Sequence, residues 1–488
     1  MAFVDGTVVN VALPALQANL NATVIDVQWV VEAYSLLLTA LLLVGGSMGD
    51  HYGRRRIFVI GVALFSLASA WCGFAPDIRQ LILARATQGI GAALLVPGSL
   101  AIISASFPEE QRGRAIGTWS GFTAITAAIG PVIGGWLIEN ISWRAVFFIN
   151  LPLAVIVLLI AFRFVPESSD GNKNDRLDWL GALLTTIGLG SLIYGLIESS
   201  LLGFGDPVVF TALITGVFFL SIFLWFEKHA HDPMLPMSIF RSRDFTGANL
   251  LTFLLYSALG GTLFFLPLNL IQVQRYSATA AGAAILPFIL ILFLLSRWSG
   301  GLVQRYGAKL PLVIGPMIAA LGFALFAAPG LNAIYWTHFF PAVVVLGLGM
   351  AISVAPLTTT VMNAVPENRV GIASGINNAV SRAAGLLAIA ALGIVMLQVF
   401  NRSLDRRLLK IDIPSATRQA VDLHRINLAA IPLPEEISPA TRAMLRQAIN
   451  ESFVDGFRRV MLVGATLAFA SGIISWLLIN GRRRTSRS

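Results

Sequence analysis

The feature that most constrains this chain is a series of long apolar runs separated by short polar segments. A helix needs about 20 apolar residues to cross the ~30 Å hydrocarbon core of a bilayer, and runs of about that length recur along the sequence. Of its 488 residues, 56% are hydrophobic and 12% are charged. The sequence therefore predicts an all-α integral membrane protein. We predict about fourteen spans, near residues 1–18, 27–48, 57–75, 80–105, 113–138, 145–165, 178–198, 207–227, 245–271, 278–299, 311–329, 335–362, 370–399 and 457–480.

Two short charged motifs interrupt the apolar runs at matching places, after the predicted second and tenth spans. Glycines allow a tight turn, and cations hold that turn in water on the cytoplasmic side. The first motif contains Gly46, Asp50, Gly53 and Arg54, and the weaker second copy contains Gly300, Arg305 and Gly307. This duplication predicts two homologous six-helix bundles, at 1–166 and 233–488, with an inserted helix pair at 167–232.

The same two turns are candidates for an inner gate. Asp50 is expected to accept hydrogen bonds from a neighbouring helix N-terminus, and Arg54 to pair with an acid on an adjacent helix end. Gln304 replaces the acid in the second copy. The latch should therefore be stronger in the N-terminal half. A purely topological role is the alternative for Arg55 and Arg56.

Basic residues predict the orientation of the chain. The formal net charge is +9, but the cations cluster at the ends of apolar runs and form no basic stripe, so no nucleic-acid partner is expected. Short loops predicted to lie outside contain only Arg79, Arg144 and Arg275. Both termini are therefore predicted to be cytoplasmic. Cations predicted inside include Arg54, Arg55, Arg56, Arg305, Lys309, Arg482, Arg483, Arg484 and Arg487.

A long external connection is predicted at about 400–456. Within it, Ser438 and the following proline predict the start of a helix that runs to Ile449. Leu445, Ile449 and Phe453 recur at helical spacing, which indicates an amphipathic helix at the outer surface. We interpret this segment as a structural lid, with substrate gating as the alternative.

The remaining composition excludes several classes of site. Cys72 is the only cysteine, so no intramolecular disulfide or cysteine-based metal cluster can form, and a packing role is expected for it. The sequence contains no phosphate-binding loop, and its five histidines make haem ligation improbable. No cofactor or metal is expected. The first apolar run lacks a basic n-region, so we expect a permanent span there and no signal peptide; the natural start of the chain is left open.

Three ionisable residues inside predicted spans are candidates for chemistry. Asp5 lies in the first span, where taking up a proton would change its preferred environment; a solvated helix end is the alternative. Arg85 lies in the fourth span and needs a partner, for which Asp5 and Glu32 are candidates; a purely structural ion pair is the alternative. Glu32 lies in the second span, where it faces either a polar cavity or the outer interface. Gln88 follows Arg85 by one turn and is a candidate for the substrate path.

The C-terminal half contains few acids within its spans but several polar and aromatic side chains. Asn378 and Arg382 are four residues apart and are expected to form a polar contact on one helix face. Aromatic residues in membrane helices usually pack or face lipid. The candidates for the substrate path here are Asn249, Tyr256, Asn377, Asn378 and Arg382.

Several motifs together resemble the major facilitator superfamily. They are Val4 to Pro14, the turn at 46–56, Arg85 to Gly91, and Gly130 to Gly135. With Trp143-Arg144, the run from Phe148 to Pro152 and fourteen spans, the chain looks like the drug:proton antiporter-2 branch of the EmrB/QacA type.

This resemblance implies a fold and roles for particular residues. The implied fold is two pseudo-symmetric six-helix bundles plus two inserted helices. For Asp5 the resemblance implies a role in binding protons or a cationic substrate. For Arg85 it implies a role in proton transfer and in tuning the pKa of a nearby acid. The resemblance also implies an antiporter motif at Gly130, Pro131, Gly134 and Gly135, although Thr126 departs from its usual pattern.

The expected function is a proton-coupled exporter of small hydrophobic or cationic compounds, with multidrug efflux by alternating access. A uniporter or importer on the same fold is the close alternative, and a membrane enzyme is the distant one. The expected partners are a small-molecule substrate, protons and the lipid bilayer of a bacterial cytoplasmic membrane. The chain is expected to work as a monomer; the sequence leaves open the substrate and the use of a periplasmic adaptor.

Overall fold

Long helices joined by short turns make up the structure. A computed structural model describes residues 1–107, 109–169, 178–230, 235–366, 370–434 and 437–480. Its α-helices are α1 (Ala2–Leu20), α2 (Val24–Tyr52), α3 (Arg54–Phe74), α4 (Ile78–Ser106), α5 (Glu109–Asn140), α6 (Ala145–Phe148), α7 (Asn150–Phe164), α8 (Trp179–Leu202), α9 (Pro207–His229), α10 (Arg243–Leu268), α11 (Ala278–Ala283), α12 (Leu286–Gly300), α13 (Leu302–Tyr306), α14 (Lys309–Phe326), α15 (Phe340–Asn363), α16 (Val370–Leu408), α17 (Ser415–Leu423) and α18 (Pro439–Leu478). Short 3-10 turns occupy Met237–Arg241 and Arg425–Ala430, and π-helical turns occupy Asn269–Val273 and Tyr335–Phe339.

The apolar helices confirm a multi-pass membrane protein. Among the described residues, 12 helical segments are long and apolar enough to cross a membrane. Helices α1 and α5 stand at the predicted first and fifth spans but are not among the 12. In α1 the polar residues Asp5, Asn10 and Gln17 interrupt the apolar stretch, whereas part of α5 lies outside the described residues. The structure thus supports 12 apolar spans, and the two further crossings stay a prediction.

The two glycine-rich motifs form turns between helices, as predicted. Gly53 ends α2 at a φ of 107°, and α3 begins at the next residue. Gly307 ends α13 at a φ of 77°, and α14 follows at Lys309. Such positive φ values favour glycine strongly over residues that carry a Cβ. In both motifs the last glycine therefore ends a helix with a positive φ. The second copy differs in having an extra break between α12 and α13.

The long external segment predicted at 400–456 is much shorter in the structure. Helix α16 extends to Leu408 and α18 begins at Pro439, with Ser438 as its N-cap. A helix of 40 residues is about 60 Å long, which is about twice the hydrocarbon thickness. The predicted helix start at Ser438 is therefore confirmed, whereas the predicted end at Ile449 is wrong, because this helix is the first part of α18. Its apolar residues Leu445 and Ile449 are fully buried rather than facing a membrane surface.

Charged side chains join the extended ends of α16 and α18. Arg407 of α16 pairs with Glu451 and with Asp455 of α18, at 2.9 Å in each case. Asp455 also accepts a hydrogen bond from the hydroxyl of Ser403 at 2.6 Å. These contacts lie one or two helical turns apart along α18, so they align the two helices beyond the predicted membrane surface.

The connection between these helices packs over a junction of several helices. Ile426 and Leu428 face a small space that is also lined by Val24 of α2, Ser200 of α8 and Met396 of α16. Leu428 is 1% exposed and has a φ of 51° and a ψ of −123°. A bulky residue with this backbone conformation is strained, and its burial must compensate.

Ion pairs hold the same connection against α16. Arg425 donates to Asp405 at 2.5 Å and to Asp422 at 2.7 Å. Partial burial alone would lower the pKa of Arg425, but the hydrogen bonds to these two carboxylates outweigh it and raise that pKa above its usual value. Arg425 therefore stays charged, and the short connection is fixed by both apolar and charged contacts.

We expect replacement of Leu428 by glycine to destabilise the protein less than replacement by alanine. Alanine loses buried surface worth about 2–4 kcal/mol and keeps the backbone strain. Glycine loses the same surface but relieves strain of about 1–3 kcal/mol. Unfolding midpoints in detergent measure the order. Leu445, which is buried in the regular helix α18, is the control. There the glycine variant should be less stable than the alanine variant. If glycine is also the less stable substitution at position 428, backbone strain at Leu428 is contradicted.

Contacts between helix ends join segments that are predicted to lie on the same side of the membrane. The backbone N–H of Arg54 donates to the carbonyl of Ser168 at 2.8 Å, and that of Asn480 donates to Asp244 at 2.7 Å. Arg144, predicted to lie on the other side, donates instead to the carbonyl of Ala75 at 3.0 Å. The predicted tail cations, the side chain of Gln304 and the boundary near 232 lie outside the described part; the tail cations are Arg482, Arg483, Arg484 and Arg487.

The packing of α8 and α9 positions the inserted pair beside the long helices. The two helices pack against each other, and α8 also contacts α2 and α16. Only 11% of the apolar window in α9 is buried, so this helix lies at the periphery. Helix α5 packs against α1 and α11, which brings the N-terminal helices against the C-terminal ones.

Candidate functional site

Asp5 and Arg85, which were predicted as candidates on separate helices, are in direct contact. Asp5 extends from α1 and Arg85 from α4, and each is 1% exposed. Arg85 Nη1 donates to Asp5 Oδ2 in a buried ion pair. Of the two predicted partners of Arg85, the structure therefore selects Asp5 over Glu32. The alternative of a solvated Asp5 at a helix end is wrong.

Neighbouring side-chain amides donate hydrogen bonds to the second oxygen of the Asp5 carboxylate. Its Oδ1 atom accepts hydrogen bonds from Gln88 Nε2 at 2.9 Å and Asn150 Nδ2 at 3.1 Å. Gln88 Oε1 accepts a bond from Arg85 Nη1 at 2.7 Å. Ser69 Oγ accepts bonds from Asn150 at 3.0 Å and Gln88 at 3.2 Å. Helices α1, α3, α4 and α7 thus meet at one hydrogen-bonded centre, which we call the Asp5 site (Asp5, Ser69, Arg85, Gln88 and Asn150).

Helix α2 holds Arg85 through contacts that do not involve Asp5. Arg85 Nε donates to the carbonyl of Val30 at 3.1 Å. The guanidinium carbon lies 4.3 Å from the ring centroid of Tyr34, a cation–π contact. The hydroxyl of Tyr34 donates to the carbonyl of Ala2 at 3.4 Å. The position of Arg85 is therefore maintained even when its ion pair with Asp5 is weakened.

This arrangement allows two charge states of one carboxyl group. A buried carboxylate is tolerated when a cation and hydrogen-bond donors surround it. When Asp5 takes up a proton, the ion pair with Arg85 is lost, whereas Gln88 and Asn150 can still form hydrogen bonds to the neutral group. Gln88 is fully buried in this site, and its predicted place along a substrate path stays a prediction.

Glu32 is a second buried acid at a different place. It is fully buried in α2, and neither of its carboxylate oxygens has a hydrogen-bond partner among the described residues. One turn earlier, Gln28 donates to the carbonyl of Ile389 on α16 at 3.3 Å. One turn later, Leu36 packs near Leu386 of α16. Glu32 therefore lies on the face of α2 that meets α16, and the alternative of an acid at the outer interface is wrong.

The first glycine-rich turn differs from the predicted gate in its partners. Asp50 accepts a hydrogen bond from Arg54 Nε at 2.8 Å, within the same turn. The N-terminus of α3 is capped instead by Glu167, which accepts the backbone N–H groups of Arg55 and Arg56 at 3.0 and 3.2 Å. Asp50 lies near the end of α2, whereas Glu167 follows α7. Glu167 therefore reaches the N-terminus of α3 only in the folded chain.

The two turns also differ in how closely they are packed. A Cβ on Gly53 would overlap the Glu167 carboxylate, whereas Gly300 in the second copy has open space around it. A Cβ on Gly46 would lie 3.7 Å from the Cβ of Pro97 in α4. Arg305 lies over the ring of Tyr306 at 5.3 Å. The expected difference in strength between the two latches and their gating role both stay predictions.

The glycines of α5 bring other helices into close contact. A Cβ on Gly130 would overlap Thr7 of α1, and a Cβ on Gly134 would lie 2.7 Å from Val8 of α1. A Cβ on Gly135 would lie 2.5 Å from the backbone of Ala278 in α11. Pro131 lies in the same stretch, and its carbonyl blocks any Cβ on Gly282 of α11. This face of α5 therefore joins α1 to α11, across the two halves of the chain.

Some of the predicted C-terminal polar residues form a cluster. Asn377 of α16 donates to Asn249 at 3.2 Å and to Thr252 at 2.7 Å, both on α10. Asn378 donates to the carbonyl of Ser374 at 3.1 Å, so the predicted contact between Asn378 and Arg382 is not among the described bonds.

Two other candidates for the substrate path lie apart from this cluster. Arg382 of α16 is close enough to Tyr34 of α2 to interact with it electrostatically. Tyr256 is half-buried and packs against the large apolar core. Arg382 therefore faces an N-terminal helix, whereas Tyr256 packs against a core to which both halves contribute.

Several residues of the site were not predicted. Asn150 begins α7 and lies within an apolar run, and this was a signal that could have identified it. Ser69 and Tyr34 gave no comparable signal, because single serines and tyrosines are common in membrane helices. Their contribution depends on the packing of α3 and α2 around α4.

Comparisons with known proteins place the chain among membrane transporters. The family model described as Major Facilitator Superfamily matches residues 1–389. The chain is 34% identical over 480 residues to "Multidrug resistance protein Stp" of Mycobacterium tuberculosis, covering 96% of this chain and 88% of that protein. It is 28% identical to the "Tetracenomycin C resistance and export protein" of Streptomyces glaucescens, covering 97% and 88%. It is 36% identical to "Puromycin resistance protein pur8" of Streptomyces alboniger, covering 80% and 78%.

Solved structures agree on the fold. A bacterial homologue of the human lysosomal transporter Spinster, in an inward-facing and unoccupied conformation, aligns with a TM-score of 0.66 at 16% identity. The alignment covers 97% of this chain and 95% of the other. At this identity the similarity concerns the fold alone.

Proposed function

The chain belongs to the Major Facilitator Superfamily, and on this premise we propose that it is a proton-coupled exporter of small hydrophobic or cationic compounds. Membership makes it a membrane transporter of small molecules rather than an enzyme. The finer proposal is multidrug efflux by antiport with protons, in the 14-span drug:proton antiporter-2 branch. The names of its relatives, which refer to drug resistance and export, support this proposal.

The Asp5 site is the observation that carries proton coupling. A carboxylate paired with a guanidinium inside membrane helices has two charge states with very different preferences for a dry environment. The amides of Gln88 and Asn150 remain available to the neutral form. Asp5 would therefore take up a proton from the outer side and release it to the inner side, while Arg85 of α4 keeps its contacts with Val30 and Tyr34 of α2.

Alternating access connects this proton transfer to the substrate. We propose that the bundles at 1–166 and 233–488 rock against each other, with the inserted pair at 167–232 beside them. The polar cluster of Asn249 and Asn377 and the side chain of Arg382 support a substrate path on α10 and α16. Tyr256 and Asn378 are further candidates. Glu32, buried where α2 meets α16, is proposed as a second proton site.

The proposed gates lie at opposite ends of this path. Asp50 and Arg54 in the first turn, and Arg305 in the second, are proposed to take part in the inner gate. The glycines of α5, which pack α1 against α11, are proposed to support the outer one. The proposed location is a bacterial cytoplasmic membrane, with both termini inside and one chain as the working unit.

Transport in inverted membrane vesicles tests the proposal. Puromycin is a suitable first compound in a substrate panel, because a relative is named for resistance to it. We expect uptake into inverted vesicles that depends on an imposed proton gradient and stops when an uncoupler is added. Vesicles without the protein provide the background.

Two outcomes separate the alternatives. Uptake that is unchanged after the gradient collapses would identify a passive uniporter and rule out proton coupling. Uptake that requires a gradient of the opposite direction would identify an importer. Either result would leave the family membership intact and overturn the exporter proposal.

A further inference from the structure

A hydrogen-bonded pair joins the two halves of the chain at the predicted outer end of α5. Glu139 Oε1 accepts the backbone N–H of Thr279 at 2.8 Å, and Oε2 accepts its hydroxyl at 2.6 Å. Glu139 ends a helix of the N-terminal half, whereas residues 277–279 begin the apolar span Ala278–Ser296 of the C-terminal half.

Two other polar contacts between the halves are weaker than the one between Glu139 and Thr279. Gln272 donates to Gln17 at 2.7 Å, but Gln17 Nε2 and Gln272 Oε1 are buried without partners among the described residues. A buried pair that leaves a donor and an acceptor unsatisfied contributes little net stability. The contact between Gln28 and Ile389 is long, at 3.3 Å. Among these residues, only Glu139 is a charged acceptor, and both of its carboxylate oxygens accept hydrogen bonds from the other half.

The packing beneath Glu139 makes this pair sensitive to separation of the halves. One turn earlier, Gly135 lies against the backbone of Ala278, and the carbonyl of Pro131 lies against Gly282. An opening of the outer side that separates α5 from α11 would pull these close surfaces apart. That movement would break both bonds from Thr279 to Glu139.

We infer that Glu139 is a positioning residue that holds the outer ends of the two halves together and sets how often the outer side opens. Glu139 is exposed, so water can replace Thr279 when the contact breaks. The contact is therefore reversible at low energetic cost, as a gate requires. This inference rests on the proposed alternating access, but the distance measurement that tests it needs neither substrate nor proton gradient.

Spin-label distances measure the opening directly. Labels are attached to cysteines that replace exposed Arg79, at the start of α4, and exposed Ala328, just after the end of α14, in a Cys72→Ser background. Double electron–electron resonance then compares Glu139→Ala with the unmodified sequence. Charge-assisted hydrogen bonds at an exposed site predict about a three- to tenfold rise in the ratio of long to short distances. Thr279→Val, which keeps the backbone bond, should give a smaller rise in the same direction.

Glu167→Ala is the matched control. Glu167 also accepts backbone N–H groups at the start of a helix, but that helix, α3, belongs to the same half of the chain. Its loss should leave the distances unchanged. Equal distributions for Glu139→Ala and the unmodified sequence, or an equal shift for Glu167→Ala, would overturn the inference.

A reversible cross-link provides an independent test. Cysteines at positions 139 and 279 are joined by a short bis-methanethiosulfonate reagent, and the link is verified by mass. Transport should stop when the link forms and return when it is reduced. Full transport with the link in place would overturn the inference. A shift in distance without any proton-coupled export would instead refute the proposed function and leave the gate residue standing.

Discussion

Replacing Asp5 with asparagine is expected to abolish proton-coupled transport and to destabilise the protein. Asparagine cannot exchange a proton in the physiological range, so the site loses its two charge states. It also leaves Arg85 as a buried cation without its carboxylate, and Arg85 cannot lose its proton. Breaking a buried pair in this way costs about 3–5 kcal/mol, here near the lower end because Gln88 and Val30 still accept bonds from Arg85.

Two measurements test the Asp5→Asn variant. Gradient-driven uptake in inverted vesicles should fall to the background, and the unfolding midpoint in detergent should decrease at equal expression. Asp77→Asn is a suitable control, because Asp77 caps the start of α4 at an exposed position and asparagine caps equally well. Gradient-dependent uptake at the normal rate in Asp5→Asn would remove Asp5 from the coupling mechanism.

Replacing Arg85 with glutamine is expected to abolish coupling with a smaller loss of stability. The remaining carboxyl group of Asp5 can become neutral by taking up a proton, and it keeps its bonds with Gln88 and Asn150. We expect a destabilisation of about 1–2 kcal/mol, because a neutral, hydrogen-bonded group is far cheaper to bury than an unpaired charge.

The double variant Asp5→Asn with Arg85→Gln separates structure from coupling. Both charges are absent, so stability should recover relative to Asp5→Asn alone, while transport stays uncoupled. The exposed Arg79, on the same helix, provides the control for loss of an arginine. If Asp5→Asn is no less stable than Arg85→Gln, or if the double variant is the least stable of the three, the ion pair does not have the role assigned to it.

The residues of the Asp5 site illustrate how far sequence reasoning reaches. An aspartate and an arginine within apolar runs are costly in a membrane, so each could be predicted to need a partner. Their separation of 80 residues, however, left Asp5 and Glu32 as equal candidates for Arg85. Asn150 and Ser69 complete the site only because α7 and α3 pack beside α4. Local sequence patterns contain no information about which helices will be neighbours.

The ends of helices gave the least predictable results. Asp50 is close in sequence to the N-terminus of α3, yet that N-terminus is capped by Glu167. The apolar spacing of Leu445 and Ile449 predicted a helix correctly but assigned it to a membrane surface, because spacing reveals an apolar face and not what covers it. Here the extended end of α16 and the connection after it supply that cover.

The sequence by itself determined that this protein is a bundle of membrane helices, where turns separate them, and which buried charges require compensation. These properties follow from the free energy of transferring residues into lipid, which depends on composition over about 20 residues. Tertiary structure alone decided that Arg85 pairs with Asp5, that Glu32 stands apart, and that Glu139 meets Thr279 across the two halves. Such contacts join residues distant in sequence, and their geometry exists only after the helices have packed.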